Sequence, residues 1–540
     1  MVFVSYYSRS SIQNKSVKES IVKTDVLFVI PNGRAPGAYG PVAKDAIEPP
    51  AAARFAAGYL MRRNVTVDLF DANISDQAPD QMAEDVQSVD PALVVIPVYG
   101  FNPSSSTQTM PSARAFAASI KELVPHIPIL FLGTHPAALP ERTLLEEPID
   151  YVCTGEGPVT IHELVQVIKS DGDLNRVRSL CYRKDGGIVR SGPAPLLDLN
   201  EEWSLEGWKL TDPRKYRAHN WQTFYREFDD RGPYANPFSS QGCPFHCDFC
   251  NIQSPFREGD ALRVVQGLAR ADVNSHRLLR PQLFVEELTY LVEQFGVRYI
   301  KIPDEMFGLG TEHVLTIAKM VQERFGDSLN FWCYFRVDTC LPKYLDPLRA
   351  AGFRWLALGI EAANSRVRSG QDKRFNDQTI VKVVDAVHAA GLEGALNYIF
   401  GLPEDTMESM QATYDMAVSL NSAFANFYCT QALPGSELYR RAVVNKYPLP
   451  DRPGGPGWIG YSQYGYNSEP FYLGNALTPA QVLEFRDRAQ FSYYQRPEFR
   501  KRLMADPKFG TTALGVIDGW MKNLAPDVLV RRLLEPVSAV

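Results

Sequence analysis

Cys243, Cys247 and Cys250 crowd into one short stretch, Gly242-Cys-Pro-Phe-His-Cys-Asp-Phe-Cys250, at Cys-x3-Cys-x2-Cys spacing. Thiolates this close reach one inorganic centre only if the chain curls around it, which excludes a regular helix or a central strand here. Pro244 favours the curl, because its fixed φ and missing N–H oppose both alternatives. Iron–sulfur clusters normally take four Cys ligands, so three would leave one iron open. Two plainer readings stand beside this one: a zinc knuckle short of a ligand, and buried thiols gathered by packing. Zinc asks for a fourth Cys or His at short spacing, and His246 lies inside the curl, where it would compete for the same turn. The spacing therefore favours the cluster.

At 540 residues the chain should fold as more than one domain. A net charge of −6 gives no reason to expect nucleic acid or a membrane surface as partner. The longest apolar runs, such as residues 92–98, are strand-length, so no membrane span is expected. The N-terminus lacks a basic-then-apolar signal, which predicts a cytoplasmic protein. Eight cysteines, three of them in one motif, fit a reducing compartment better than a disulfide framework.

Ahead of the cysteines, strands alternate with helices. Residues 25–31, 65–70, 92–97, 129–132 and 151–154 read as strands, and residues 51–63 and 110–124 as helices. This alternation predicts a doubly wound parallel sheet over residues 20–195, with ligands outside the carboxyl ends of its strands. The loops at 99–107, 133–136 and 155–157 would meet there. Gly133, Gly155 and Gly157 would let backbone approach a large flat ligand, although taken alone they are better explained by plain turn chemistry.

Residues 196–236 read as a connector. Residues 237–440 read as six strand–helix units forming a partial (β/α)6 barrel, counting a first strand at 237–241. Asp304, Glu305, Arg336, Glu361 and Gln431 fall at strand carboxyl ends, where barrel chemistry usually sits. Period two along residues 331–337 puts Arg336 and Cys333 on opposite faces, so Cys333 is expected to pack rather than ligate. Cys429 shares a face with Gln431 but reads as a buried inert thiol. The long stretch 251–280 carries Arg257, Arg263, Arg270, Arg277 and Arg280. It reads as a solvated basic face, with an anion-binding lid as the alternative. Residues 441–540 form a mainly helical segment, entered through an aromatic, Pro/Gly-rich loop bearing Trp458, Tyr461, Tyr464 and Tyr466. With Tyr472, these rings either pack or line a substrate.

At the cysteine loop the chain resembles the radical S-adenosylmethionine (SAM) superfamily. The resemblance implies a 4Fe–4S cluster on Cys243, Cys247 and Cys250, whose open iron holds the amino and carboxylate groups of SAM. An electron from the reduced cluster would cleave the sulfonium to a 5′-deoxyadenosyl radical. Phe249 would lie near the SAM adenine, backed by Gly401-Leu-Pro403, and Glu361 would touch the ribose or amino group. The planar fork of Arg336 suits the SAM carboxylate. Glu305 and Gln431 complete the cofactor-binding set expected of the barrel.

Leu132-Gly-Thr-His-Pro, Ile149-Asp-Tyr-Val and Gly155-Glu-Gly157 together are similar to the cobalamin-binding domain that precedes many radical SAM cores. This implies cobalamin along Gly133, His135, Gly155, Glu156 and Gly157. The usual Asp-x-His-x-x-Gly motif is missing, since none of His126, His135 and His162 has Asp two residues before it. The resemblance then implies base-off cobalamin without a histidine ligand and leaves the lower face of cobalt unassigned, with Tyr99, Asn102, Ser104, Ser105 and Ser106 as the candidates to lie beneath it. His135 is expected to hydrogen-bond within its loop.

The expected function is a cobalamin-dependent radical SAM methyltransferase. It would carry a methyl group from SAM by way of methylcobalamin to an unactivated carbon of a small-molecule or natural-product substrate. A flavodoxin- or ferredoxin-type protein would supply electrons. A radical cyclase, ring-contracting or oxidising enzyme keeps both cofactors without methyl transfer, as in the bacteriochlorophyll ring-forming cyclases. A non-catalytic cobalamin- or SAM-sensing protein is the reading from another class.

Overall fold

Val26–Ile30 (β1), all aliphatic or aromatic, is buried along its whole length, as a strand covered on both faces must be. Its alternate side chains feed two separate cores. Val26 and Phe28 pack under Ala53, Ala57 and Leu60, while Leu27 and Val29 pack under Met82, Val86 and Phe116. The computed structural model describes residues 23–32, 46–100, 105–223, 231–370, 373, 375–462, 477–505 and 510–524. β1 is joined in parallel by Val67–Asp71 (β2), Leu93–Pro97 (β3), Ile129–Leu132 (β4) and Tyr151–Cys153 (β5). Leu180–Lys184 (β6) and Gly187–Arg190 (β7) then add an antiparallel hairpin, giving the order β2-β1-β3-β4-β5-β6-β7. The five parallel strands are those expected, and the hairpin extends them.

The second sheet has six parallel strands. They are Tyr234–Ala235 (β8), Tyr299–Lys301 (β11), Asn330–Arg336 (β12), Phe353–Glu361 (β13), Glu393–Phe400 (β14) and Phe424–Cys429 (β15), in the order β15-β14-β13-β12-β11-β8. Helices Pro281–Phe295, Thr311–Phe325, Pro342–Ala350, Asp377–Ala389 and Met407–Leu420 alternate with them, the layout of a partial barrel. The cluster strand differs from expectation. Ser240–Gly242 (β9) stands apart from the barrel sheet and pairs antiparallel with His276–Leu278 (β10). The first barrel strand lies earlier, at Tyr234, inside the stretch expected to be connector. Residues 251–280 are accordingly structured, holding the helix Arg257–Val265 and β10. Arg270 forms an exposed pair with Asp272, whereas Arg277 makes a largely buried one with Glu156.

The helix Pro479–Gln495 seals the outer edge of the barrel sheet. Tyr494 Oη accepts from Ala425 N at 3.0 Å and donates to Ala425 O at 2.7 Å, so one phenol satisfies both open backbone groups of that edge residue. The two sheets are also tied together. Arg54, on the helix Ala51–Met61, donates to Glu287 of the helix Pro281–Phe295 at 3.1 Å, with both side chains no more than 5% exposed. Trp208 Nε1 donates to the same carboxylate at 2.6 Å while its ring carries the Arg54 guanidinium at 3.8 Å. Among the described residues no helix is long and apolar enough to cross a membrane.

Candidate active site

The carboxyl ends of the two parallel sheets face one another across a cavity of about 210 Å³. Pro31, Tyr99, Thr134 and Glu156 line it from the first sheet, and Gln241, Lys301, Glu305 and Tyr334 from the barrel side. Between them runs a largely apolar wall with several prolines, including Pro49, Pro50, Pro97 and Pro303.

The cysteine loop sits on the barrel side of this space. Side chains pin its backbone, Gln253 Nε2 donating to Cys243 O and Asn274 Nδ2 to Phe245 O at 2.9 Å, while Asn251 just after the loop donates its Nδ2 to Pro434 O at 3.2 Å. Gly242 N donates to Glu305 Oε2 at 3.0 Å, tying the loop to the end of β11. All eight cysteines are free thiols. Burial pushes Cys243 up to about 12, and it raises Cys250 as well; in both, the charge of Cys247 adds to the rise. Three clustered thiols that oppose each other's ionisation are matched by a multi-iron cation, which deprotonates its thiol ligands outright. Among the described residues no three His, Cys, Asp or Glu are gathered as a single metal ion requires. Three thiols on one curled loop are the donor type that an iron–sulfur cluster takes, one short of the usual four.

Three expected barrel residues show signs of a binding surface. Glu361 ends β13 beyond a register shift, at φ +65°, a backbone conformation costly for a residue with a Cβ and typical of strain held at functional sites. Its carboxylate pairs with the buried Lys373 at 2.6 Å. Gln431 is 4% exposed, and neither its Oε1 nor its Nε2 has a partner. Phe249 packs against Leu402 and Val367 on one side and Ala432 and Leu438 on the other, joining the cysteine loop to residues 401–403. Gly401 N donates to Asp405 Oδ2 at 2.9 Å, which fixes the turn preceding Pro403. Arg336 differs from expectation. Its Nε and Nη2 donate to Asp338 at 2.9 and 2.8 Å, so one bidentate edge of the guanidinium already holds a carboxylate of the chain itself. Cys333, on the opposite face of β12, is buried in the barrel core.

On the first sheet, most expected cofactor residues are engaged with the protein itself. A Cβ on Gly133, at φ +151°, would collide with Val98 O, while Gly155 and Gly157 lie against Ser179 and Leu132. The fold's own packing is enough to require glycine at these positions. Glu156 is turned to Arg277 at 2.5 Å and also accepts from Leu197 N at 2.8 Å. His135 is buried, with Nδ1 3.2 Å from Thr107 Oγ1 and its ring edge-on to Trp458 at 4.5 Å. Burial drives its pKa down to about 3, so it stays neutral. Tyr99 lines the cavity, and Ser105 is buried just ahead of the helix Ser106–Leu123. Asn102 and Ser104 lie outside the described residues. A fit to a polar ligand remains on this side too, since Thr134 lines the cavity and its buried Oγ1 has no partner within the protein. Trp458 and Tyr461 lie against the first sheet's helices, with Tyr461 Oη donating to Asp451 at 2.6 Å. Tyr464, Tyr466 and Tyr472 lie outside the described residues.

Sequence reasoning missed a charged cluster on the cavity wall. Lys301 Nζ donates to both oxygens of Glu48 at 2.8 and 3.0 Å, and His219 Nε2 lies 2.9 Å from the same carboxylate. The one available signal was a lysine inside the apolar strand Tyr-Ile-Lys-Ile. Asp304 is held by Ser239 N, Ser239 Oγ and Ser240 Oγ, each at 2.7 Å, and supports the turn into the loop.

Residues 45–165 match the B12 binding domain and residues 238–417 the Radical SAM superfamily. An uncharacterized methyltransferase of Pyrococcus horikoshii is 25% identical over 83% of this chain and 88% of its own. An anaerobic magnesium-protoporphyrin IX monomethyl ester cyclase of Rubrivivax gelatinosus is 26% identical over 77% of this chain and 69% of its own. The structure of TsrM, a radical SAM methyltransferase from Kitasatospora setae with cobalamin and a 4Fe–4S cluster bound, superposes with a TM-score of 0.60. It is 18% identical and covers 86% of this chain and 81% of that one, a likeness of fold. With a B12-binding domain ahead of a radical SAM core, this chain is an enzyme of the cobalamin-dependent radical SAM type.

Proposed function

We propose that this enzyme is a methyltransferase that moves a methyl group from SAM to an unactivated carbon of a small-molecule or natural-product substrate. The observation that carries the reading is a cavity walled by residues at the carboxyl ends of both sheets. When bound, the cluster with SAM supplies a hydrogen-abstracting 5′-deoxyadenosyl radical, and cobalamin supplies the methyl group that replaces the hydrogen. The chain's part is placement. Cys243, Cys247 and Cys250 hold the cluster, Phe249 and Leu402 offer an apolar face to the adenine, and the Gln431 amide is available to polar atoms of SAM. Glu361, fixed by Lys373, presents a carboxylate at the end of β13. The proline-rich wall keeps water from the radical and holds the reacting groups at close range. His135, neutral and turned to Thr107 and Trp458, supports a base-off corrinoid with no histidine beneath cobalt. Electrons would come from a flavodoxin- or ferredoxin-type donor.

The test needs no knowledge of the substrate. Anaerobic protein loaded with iron, sulfide and hydroxocobalamin, then reduced with SAM present, should release both S-adenosylhomocysteine and 5′-deoxyadenosine. The relative from Rubrivivax favours a second reading, a cyclase using the same cofactors. That reading predicts 5′-deoxyadenosine without S-adenosylhomocysteine. A cobalamin spectrum showing a histidine ligand would reject the assignment of the first domain.

A further inference from the structure

Arg336 lies at the end of β12 with 3% of its surface exposed. Its guanidinium is fixed on three sides. The ring of Phe245, from within the cysteine loop, lies 3.7 Å beneath it, and Asp338 takes Nε and Nη2. On the third side, Nη1 donates to Cys247 Sγ at 3.7 Å. The 3-10 turn Val337–Thr339, closed by Cys340 N donating to Arg336 O at 3.0 Å, brings Asp338 back over the arginine. The Arg–Asp pair thus forms a dipole whose positive end meets the sulfur and whose negative end points away.

We propose that Arg336 is a positioning residue that tunes the cluster held by Cys243, Cys247 and Cys250, raising its reduction potential through a charge-assisted N–H···S bond to Cys247. This rests on the cluster reading above. One-electron reduction adds one negative charge to the cluster and its thiolates. A buried cation donating to a ligand sulfur stabilises the reduced form more than the oxidised one, and hydrogen bonds to sulfur are among the factors that set such potentials. The electron comes from dithionite or a flavodoxin-type donor, and no bond in the protein forms or breaks. Asp338 restrains the effect, because its carboxylate offsets part of the arginine's charge. At 36% exposure it is screened by water, so its share is the smaller one. This role differs from clasping the SAM carboxylate, because the Nε/Nη2 edge of Arg336 is held by Asp338 and Nη1 is turned to Cys247.

The test is potentiometric titration of the reconstituted cluster followed by electron paramagnetic resonance, with no SAM added. Arg336→Gln should lower the reduced-to-oxidised ratio at fixed potential at least tenfold, about 59 mV for a one-electron couple. Arg336→Lys should recover part of that loss, and Asp338→Asn should move the midpoint the opposite way by less. Opposite shifts from adjacent partners are not expected of a purely structural pair. Should Arg336→Gln fail to load iron, the lysine and Asp338→Asn variants still decide the matter. Iron-replete variants with unmoved midpoints would overturn the inference, as would variants whose only defect is weaker SAM binding. Wild-type protein unable to hold a cluster would instead overturn the functional reading beneath it.

Discussion

The two sheets present their carboxyl ends to the same cavity in different states. Around the barrel sheet's carboxyl ends, outside the residues that line the cavity, some polar groups are left in unfavourable situations: three thiols oppose each other's ionisation, Gln431 is buried without partners and Glu361 sits at positive φ. At the end of the first sheet, Gly133, Gly155, Glu156 and His135 are all engaged with the protein itself, and Thr134 Oγ1 is the exception. The barrel end therefore carries groups whose cost a ligand would offset. The first sheet offers a finished surface, on which a large ligand would rest without meeting unsatisfied groups from these residues.

Substitutions can break this comparison. Cys247→Ala should abolish the cluster and all 5′-deoxyadenosine formation, and iron analysis of anaerobic protein checks both. Glu361→Ala leaves Lys373 buried and uncompensated, which should cost about 3–5 kcal/mol in denaturant unfolding. Converting both residues to Met should restore stability but leave SAM binding weak; restored binding would show that the pair is only structural. Gly133→Ala forces a Cβ toward Val98 O and should cost about 1–3 kcal/mol, with hydroxocobalamin binding lost only as far as the fold is lost. Lost binding at full stability would mean that the ligand, rather than the fold, uses that space. Gln431→Leu should be the mildest. It removes buried unpaired atoms, so stability should hold or rise, while SAM affinity falls about tenfold, or about 1.4 kcal/mol. A destabilised variant with unchanged SAM affinity would remove Gln431 from the site.

Much of the architecture was legible because it is local. Most of the parallel strands are apolar runs followed by a helix, and the helix Ala51–Met61 falls within the residues 51–63 read as helical. The β6–β7 hairpin carried a readable signal as well, since Asp185-Gly186 takes positive φ at both positions, a tight-turn pairing. What periodicity does not carry is pairing between distant segments. β9 leaves the barrel because its partner, His276–Leu278, comes after a helix, and nothing in Ser-Gln-Gly announces that choice. The cysteines were legible from spacing alone. Arg336 was placed on the right face of its strand, but its partner two residues later depends on a 3-10 turn. The Glu48–Lys301 contact joins residues 253 positions apart, beyond the reach of any local pattern.

The buried Arg54–Glu287 contact, braced by Trp208, bears on how such enzymes diversify. A chimera taking its corrinoid-binding half from one relative and its radical core from another would strand an ion without its counterion in the seam. Recombination at that boundary is expected to yield insoluble protein unless arginine, glutamate and tryptophan travel as a set. New specificities are then reached more readily by altering the lining of the existing chamber than by exchanging its walls.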